Sequence, residues 1–220
     1  MKLNTHFTAV MMIGSALAPI SSADVLVSNL DERISFIGAV SGGGTGDETI
    51  FSSRFVTGSG MYEVLSASAS LNNGTGFGLA TFEAFIYTDD GSGPGSVVAS
   101  FDSLPTIADG GGTAVVSFSS TLGITLDPNT AYWLGIRNIT GSYMGWNATY
   151  SDAEDSTAGW TIDDTAWSNS FNHGNTWSGW SDFFGGDVLM YSIEGNPVPA
   201  PGALALLGTG GLIATRRRRD

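Results

Sequence analysis

The chain alternates short apolar stretches with turns rich in Gly, Asn, Asp and Pro. The clearest apolar stretch is Leu79–Thr88, which ends in the turn Asp89-Asp-Gly-Ser-Gly-Pro-Gly95. Outside the two termini, no window of about 11 residues has helical spacing. Short strands at intervals of about 8–12 residues predict an all-β fold, an antiparallel jelly-roll-like β-sandwich. The other predicted strands are Ile34–Val40, Ile50–Thr57, Tyr62–Leu71, Ser96–Phe101, Thr113–Phe118, Ile124–Leu126, Ala131–Ile139 and Asp187–Glu194.

The N-terminus is predicted to be a signal peptide helix, residues 1–23. Lys2 supplies positive charge, Phe7–Ile20 is apolar, and the small residues Ser-Ser-Ala precede the predicted cleavage between Ala23 and Asp24. An uncleaved membrane helix is the alternative, but the apolar run is short and contains a glycine and a proline. The protein is therefore expected to leave the cytoplasm.

The C-terminus, residues 196–220, has three parts. A proline-spaced lead is expected to be extended, because proline cannot join a helix interior. The apolar run 202–215 follows as a predicted short helix, whose 14 residues would span about 21 Å against about 30 Å of hydrocarbon. Arginines next to an apolar segment stay on the cytoplasmic side, so the tail predicts a temporary membrane stop. The stop is formed by Arg216, Arg217, Arg218 and Arg219.

This tail resembles the PEP-CTERM sorting signal of bacterial proteins that an exosortase processes. Val198, Pro199, Ala200 and Pro201 stand at the signature, although no Pro-Glu-Pro is present. The resemblance implies that an exosortase-like membrane transpeptidase cuts near these residues while the inner membrane holds the precursor transiently. It also implies a final location at the cell surface or in extracellular polysaccharide. An ordinary short C-terminal anchor is the alternative.

The segment between the signals, residues 24–195, is predicted to be one exported domain. It has 20 acidic residues against Arg33, Arg54 and Arg137, a net charge of −17. Nucleic acid is not expected as a partner, because phosphates call for basic residues. The acidity favours either solubility or association with cations or a cation-bridged polysaccharide. The chain has no cysteine, so disulfides and cysteine chemistry are excluded.

Residues 60–194 resemble the choice-of-anchor R domain of exported proteins with varied surface-anchoring signals. The segments that carry the resemblance are Ala84–Ala99, a strand-turn-strand, and Leu126–Ile136, a turn that leads into a Tyr-Trp strand. The resemblance implies a fold and a location but no activity.

Clusters of carboxylates are the candidate cation sites. Asp89 and Asp90 lie on one turn with several carbonyl groups, an oxygen-rich arrangement that suits Ca²⁺. Two further clusters are residues 152–155 and 163–164. The alternative for each is a solvated loop, and no cofactor is otherwise implied.

The segment from Trp146 to Trp180 holds five of the six tryptophans among Gly, Ser, Asn and Asp. Exposed indoles with polar neighbours would suit sugar rings, whereas buried ones would pack the ends of the core. Both alternatives stay open from sequence. The candidate glycan contacts are Trp160, Trp167, Trp177 and Trp180.

No motif of an enzyme is present. His173 is the only histidine after residue 23, and a hydrolase would need it beside a serine or carboxylate in a pocket. We assign no catalytic residue. The sequence predicts a structural surface protein sorted through its tail, with a carbohydrate- or Ca-binding module as the alternative and a hydrolase as the less favoured one.

Overall fold

A computed structural model describes residues 23–41, 49–140, 144–151, 153–157, 159–172, 174–178 and 187–198, with the backbone alone at 36, 38–41 and 164–167. In these ranges the chain forms strands and turns, and every strand pair is antiparallel. The predicted all-β class is confirmed. The strands are β1 (Asp24–Ser28), β2 (Phe36–Ser41), β3 (Ile50–Val56), β4 (Tyr62–Asn73), β5 (Ala80–Asp89), β6 (Pro94–Ser100), β7 (Thr106–Ile107), β8 (Gly112–Leu126), β9 (Ala131–Asn138), β10 (Met144–Thr149), β11 (Asp155–Ser156), β12 (Thr161–Ser170), β13 (Val188–Leu189) and β14 (Tyr191–Pro197).

The strands form two sheets. In sheet 1 the order is β11-β1-β14-β4, with β8 on the other side of β4. Strand β10 continues beyond β14 along β4 and also pairs with β2 and β13. In sheet 2 the order is β12-β3-β9-β5-β6, and β7 pairs with the start of β5. This arrangement is consistent with a β-sandwich.

The core lies between the sheets. Each strand turns alternate side chains inward, as in β9, where Tyr132, Leu134 and Ile136 are buried in one cluster. The opposing strand β4 contributes Ala69 and Leu71 to the same cluster. Burial of such side chains contributes about 1.5–3 kcal/mol each for the larger ones. The largest wholly buried side chains are Trp133, Trp146, Trp160, Tyr191, Phe55, Phe82 and Phe118.

A β-bulge explains the change of parity in the sequence of β4. The register against β8 shifts between Val64 and Ser66, so Val64 and Ala67 both face the core although three positions separate them. The same bulge shifts the pairing with β14, since Glu194 stands opposite Ser66 and Gly195 opposite Val64, and a Cβ at Gly195 would lie 2.3 Å from the Glu63 carbonyl oxygen. Only glycine fits this approach.

Two predicted boundaries were wrong. The predicted strands 113–118 and 124–126 are one strand, β8, whose four residues 120–123 stand opposite the bulge of β4. The single strand predicted over 187–194 is divided at Met190. The Met190 carbonyl accepts hydrogen bonds from the Ser70 N–H at 3.0 Å and the Trp146 Nε1–H at 2.9 Å. At this residue the chain passes from pairing with β10, as β13, to pairing with β4, as β14.

Five strands were not predicted: β1, β7, β10, β11 and β12. Strand β10 is only six residues long and is buried at every position; Met144, Trp146 and Ala148 alternate into the core cluster. Strand β12 contains two aspartates and a register shift between Ile162 and Trp167. Its pairing with β3 overrides a sequence that does not favour a strand.

The two predicted terminal helices lie outside the described residues, apart from Ala23. Within those residues no helix is long and apolar enough to cross a membrane. Strand β14 runs through Asn196 and Pro197, which pair with Glu63 and Tyr62. The first residues of the predicted proline lead therefore form the end of β14, an inner strand of sheet 1.

Candidate functional site

The outer face of sheet 2, turned away from the core, carries aligned polar and aromatic side chains. The strand register places Arg54 beside Trp133 and Trp133 beside Tyr87. Two residues along each strand, Gly135 lies opposite Phe85. The acids that pair with the arginines on this face come from β5 and β12.

Arg54 joins three strands on this face. Its Nε and Nη2 donate to Asp89 Oδ2 at 3.1 and 3.0 Å, and its Nη1 donates to Asp163. Trp133 Nε1 donates to the other Asp89 oxygen at 3.0 Å. Burial alone lowers the pKa of Arg54, but the bonds to the two carboxylates outweigh it and raise this pKa. The guanidinium therefore stays charged and fastens β3, β5 and β12 together.

Aromatic side chains form a second cluster beside this network. Ile50, Tyr87 and Trp133 are buried in it, with Phe85 and Trp177 packed against them. Tyr87 covers Gly135, where a Cβ would lie 2.6 Å from the ring. Burial raises the pKa of Tyr87 to about 12. The tyrosine is thus a neutral packing group at physiological pH.

The loop after β12, described at residues 171–172 and 174–178, covers this cluster. Ser170 and Asn172 hold it: Gly174 N–H donates to Ser170 Oγ at 2.8 Å and Thr176 N–H donates to Asn172 Oδ1 at 2.9 Å. Trp177 lies with its ring centroid 5.2 Å from that of Tyr87 at an interplanar angle of 80°. The loop is therefore fixed to the sheet by an aromatic contact.

A groove of about 490 Å³ separates this loop from the turn after β5. Trp177 supplies its aromatic wall and is only partly buried. Apart from Pro94, the other residues that line it are polar or are glycines, so the groove offers one indole with donors and acceptors around it. They include Asp90, Ser92, Gly93, Asn175 and Thr176.

The predicted cation site lies at this groove, but its carboxylates already have partners. Asp89 accepts hydrogen bonds from Arg54 and Trp133. Asp90 Oδ1 accepts hydrogen bonds from the Ser92 N–H at 2.8 Å and the Ser92 hydroxyl at 2.9 Å, which lower its pKa. Across the described residues, no group of three or more acidic or histidine side chains could hold a metal ion. These contacts favour a structural role for both aspartates.

The tryptophans divide between core and groove. Trp160 is wholly buried and stacks on Phe55 at 5.8 Å, so it offers no face to a sugar ring. Trp146 is also wholly buried. Trp177 is the candidate that reaches the groove. The side chain of Trp167 and all of Trp180 lie outside the described residues.

The remaining sequence candidates fall elsewhere. His173 lies outside the described residues, as do Pro199, Ala200, Pro201 and the cluster 216–219. Asp24 opens β1 beside Ala23. Val198 donates its N–H to the Met61 carbonyl at 2.9 Å. The start of the sorting motif is thus bonded to the sandwich.

Asp187 is a carboxylate that sequence analysis did not single out. It is buried, burial raises its pKa, and neither oxygen has a hydrogen-bond partner in the part of the chain that the structure describes. No sequence signal distinguishes it from the other acids, because its burial depends on the position of β13.

No family model matches the chain, and no curated protein does. Among solved structures the chain is similar to the structure of infectious bursal disease virus Gx strain, at 16% identity and a TM-score of 0.30. The similarity covers 97% of this chain and 55% of that one, so this chain spans about half the length of the chain it matches. A TM-score of 0.30 is too low to relate the two folds.

Proposed function

We propose that this chain is an exported bacterial structural protein of the cell surface or extracellular matrix, which is sorted and cut through its C-terminal tail. The observation that supports it most is the position of the first and last strands along the chain. Strand β1 begins at Asp24, directly after the predicted signal cleavage, and β14 ends at Pro197, directly before the sorting motif. The two strands pair, with Asp24 opposite Gly195. Removal of both flanking signals would leave every described strand intact.

The fold that we propose for the exported domain is a jelly roll. Without β2, β7 and the segment 139–190, sheet 1 has the order β1-β14-β4-β8 and sheet 2 the order β3-β9-β5-β6. Consecutive strands alternate between the sheets, except for the hairpin β5-β6. Eight strands wound between two sheets in this way are typical of a jelly roll.

Intact-mass measurement of the protein released from the surface of a producing bacterium tests the sorting proposal. From the two predicted signals we expect an N-terminus at Asp24 and a C-terminus between Val198 and Pro201. A cut there removes no described strand, since Val198 is the last described residue and is bonded to Met61. Replacement of the arginines 216–219 by serine should reduce cutting, since the membrane stop would be lost. An exosortase-deficient strain is the control. A released protein that retains the arginine cluster would contradict the proposal.

A carbohydrate-binding role is the second candidate function, and the groove beside Trp177 favours it. A concave site with an aromatic wall and a few polar groups is the usual form of a small-molecule site. Asp90 is an exposed carboxylate on the rim, and its negative charge favours neutral over anionic sugars.

Titration with neutral oligosaccharides tests this second candidate. We expect Trp177→Ala to weaken binding at least tenfold, whereas Tyr150→Ala, which removes an aromatic side chain that is 64% exposed elsewhere, should not. Repetition with a chelator separates a cation-dependent site from a stacking site. Equal binding by both variants would exclude the groove.

A further inference from the structure

Strand β8 forms one edge of sheet 1. Among the described residues it pairs with β4 along its length and with no strand on its other side. The segment after β6 covers part of this edge: Ser119 N–H donates to Ser103 Oγ at 2.7 Å, and Asp102 N–H donates to the Ser119 carbonyl at 2.8 Å. Residues 112–118, which we call the open edge, lie beyond this cover.

The backbone groups that face outward on the open edge follow from two hydrogen bonds. The N–H and carbonyl of Ser119 point away from β4, since they bond to Ser103 and Asp102. Ser70, which stands opposite Val115, donates its N–H to Met190 on the far side of β4. Val115 therefore also turns its backbone away from β4. Because orientation alternates along an antiparallel strand, Thr113, Val115 and Ser117 all present an N–H and a carbonyl at the open edge.

The open edge has none of the features that normally prevent strand pairing. Its sequence, Gly-Thr-Ala-Val-Val-Ser-Phe, contains no charge and no proline, and its register against β4 is unbroken. The edge of sheet 2 differs, since β6 begins at Pro94 and has two register shifts. Val115 exposes 57% of its surface.

The charges around the open edge favour a second copy of the chain as the partner. The chain has a net charge of −13, so two copies repel each other over most of their surfaces. Between residues 94 and 126 the charged residues are Asp102 and Asp109 alone. Asp102 accepts the Thr121 N–H and Asp109 accepts three backbone N–H groups, so both exposed carboxylates are fixed in position by hydrogen bonds within this chain. Two copies can therefore approach here with the least repulsion.

The open edge is also complementary to itself. An antiparallel pair centred on Val115 places Val115 of one copy beside Val115 of the other, and Thr113 beside Ser117. All of these residues turn their backbone groups outward, so each opposed pair exchanges two hydrogen bonds, about six in all. Val–Val and Thr–Ser are favourable cross-strand pairs. The cover at Ser119 and the turn before Gly112 limit the pairing to this stretch.

We propose that two copies of the protein associate through the open edge, with a two-fold axis at Val115, so that sheet 1 continues from one copy into the other. An isologous contact of this kind closes as a dimer. The free energy of six hydrogen bonds is offset in large part by the translational and rotational freedom that two copies lose on association. We therefore expect a weak dimer with Kd on the order of 10 µM to 1 mM. Dense secretion at a cell surface would populate it.

Sedimentation of the secreted protein over increasing concentration tests the proposal. We expect a monomer–dimer equilibrium that Val115→Pro weakens at least tenfold. Proline removes an N–H that makes no hydrogen bond to β4, so the hydrogen bonds between β4 and β8 are kept. Val115→Lys tests the same edge if the proline variant fails to fold. Leu122→Lys is the matched control, because Leu122 is 88% exposed on the same strand outside the open edge.

A cysteine at the axis gives a second, independent measurement. The chain has no cysteine, so in Val115→Cys the new thiols can pair only between copies. The opposed Cα atoms would lie about 5.5 Å apart, within the range of a disulfide. We expect rapid cross-linking by a mild oxidant for Val115→Cys and not for Val97→Cys on β6. A wild-type protein that stays monomeric, a Val115→Pro variant that dimerises normally, or growth into larger polymers would overturn the proposal.

Discussion

The two outer faces of the sandwich are built from different chemistry. The face of sheet 2 carries Arg54 and Arg137 with their acids and an aromatic cluster beneath a loop. On sheet 1, outward side chains along 66–73 and 112–119 carry no charge and bond through hydroxyls and amides, such as Ser68 to Ser117 at 2.8 Å. The difference shows where each surface can act. The first is fastened internally and leaves a groove at its margin, whereas the second is uncharged along its β4–β8 stretch and ends in an open strand; the nearest acid on it is Glu194 of β14, which accepts a hydrogen bond from Ser66.

Arg54→Met should have the largest effect. It leaves Asp89 and Asp163 partly buried without their cation, and we expect a loss of about 2–4 kcal/mol in the free energy of unfolding. Urea denaturation measures it. Arg137→Met is the matched control: Arg137 pairs with the more exposed Glu83, so about 1 kcal/mol is expected. Equal losses would show that Arg54 is no more important to the face than an ordinary surface pair.

Gly135→Ala tests the aromatic half of the same face. The new methyl group meets the Tyr87 ring, and we expect a loss of about 1–3 kcal/mol together with a red shift of tryptophan fluorescence as the loop loosens. Ser117→Ala on sheet 1 should cost about 0.5 kcal/mol. If the alanine variant keeps wild-type stability and fluorescence, the Tyr87 contact does not hold the loop.

Asn147→Ala probes the neutral face. Asn147 is buried and donates to Ser70 Oγ at 2.9 Å, so the variant should lose about 1 kcal/mol. Because no ion is involved, this loss should not change between low and high salt. The cost of Arg137→Met should fall with salt, since exposed ion pairs are screened. Similar salt dependence for the two variants would remove the distinction between the faces.

Asp102→Asn is expected to have the smallest effect and should depend on pH. The Thr121 N–H and hydroxyl lower the pKa of Asp102, so its carboxylate stabilises the fold above the unfolded pKa of about 3.9. That contribution disappears as pH falls through the lower, folded pKa. Thermal unfolding should therefore place wild type above the variant at pH 7 and level with it near pH 2. A constant difference would show that the contact acts without its charge.

Sequence patterns predicted the strands whose alternation is regular, such as β3, β5 and β9. Bulges made the pattern of other strands, such as β4 and β8, harder to recognise. The extra residue at Leu65 reverses the parity of β4, and its partner segment in β8 looks like a turn in the sequence. At the candidate site, the sequence identified Asp89, Asp90 and Trp177 as residues of interest. It did not indicate Arg54 or Gly135, because their roles depend on neighbours from other strands.

The sequence by itself determined the strand-and-turn character, the acidic charge, the absence of disulfides and the expectation of signals at both ends, because these follow from local composition and order. Tertiary structure decided which tryptophans are buried, which carboxylates are already paired and which strand edge stays open. Those properties depend on contacts between residues far apart in the chain, such as Arg54 with Asp163 or Ser70 with Met190. The local sequence pattern cannot predict such contacts, because they depend on which distant strands pair within each sheet.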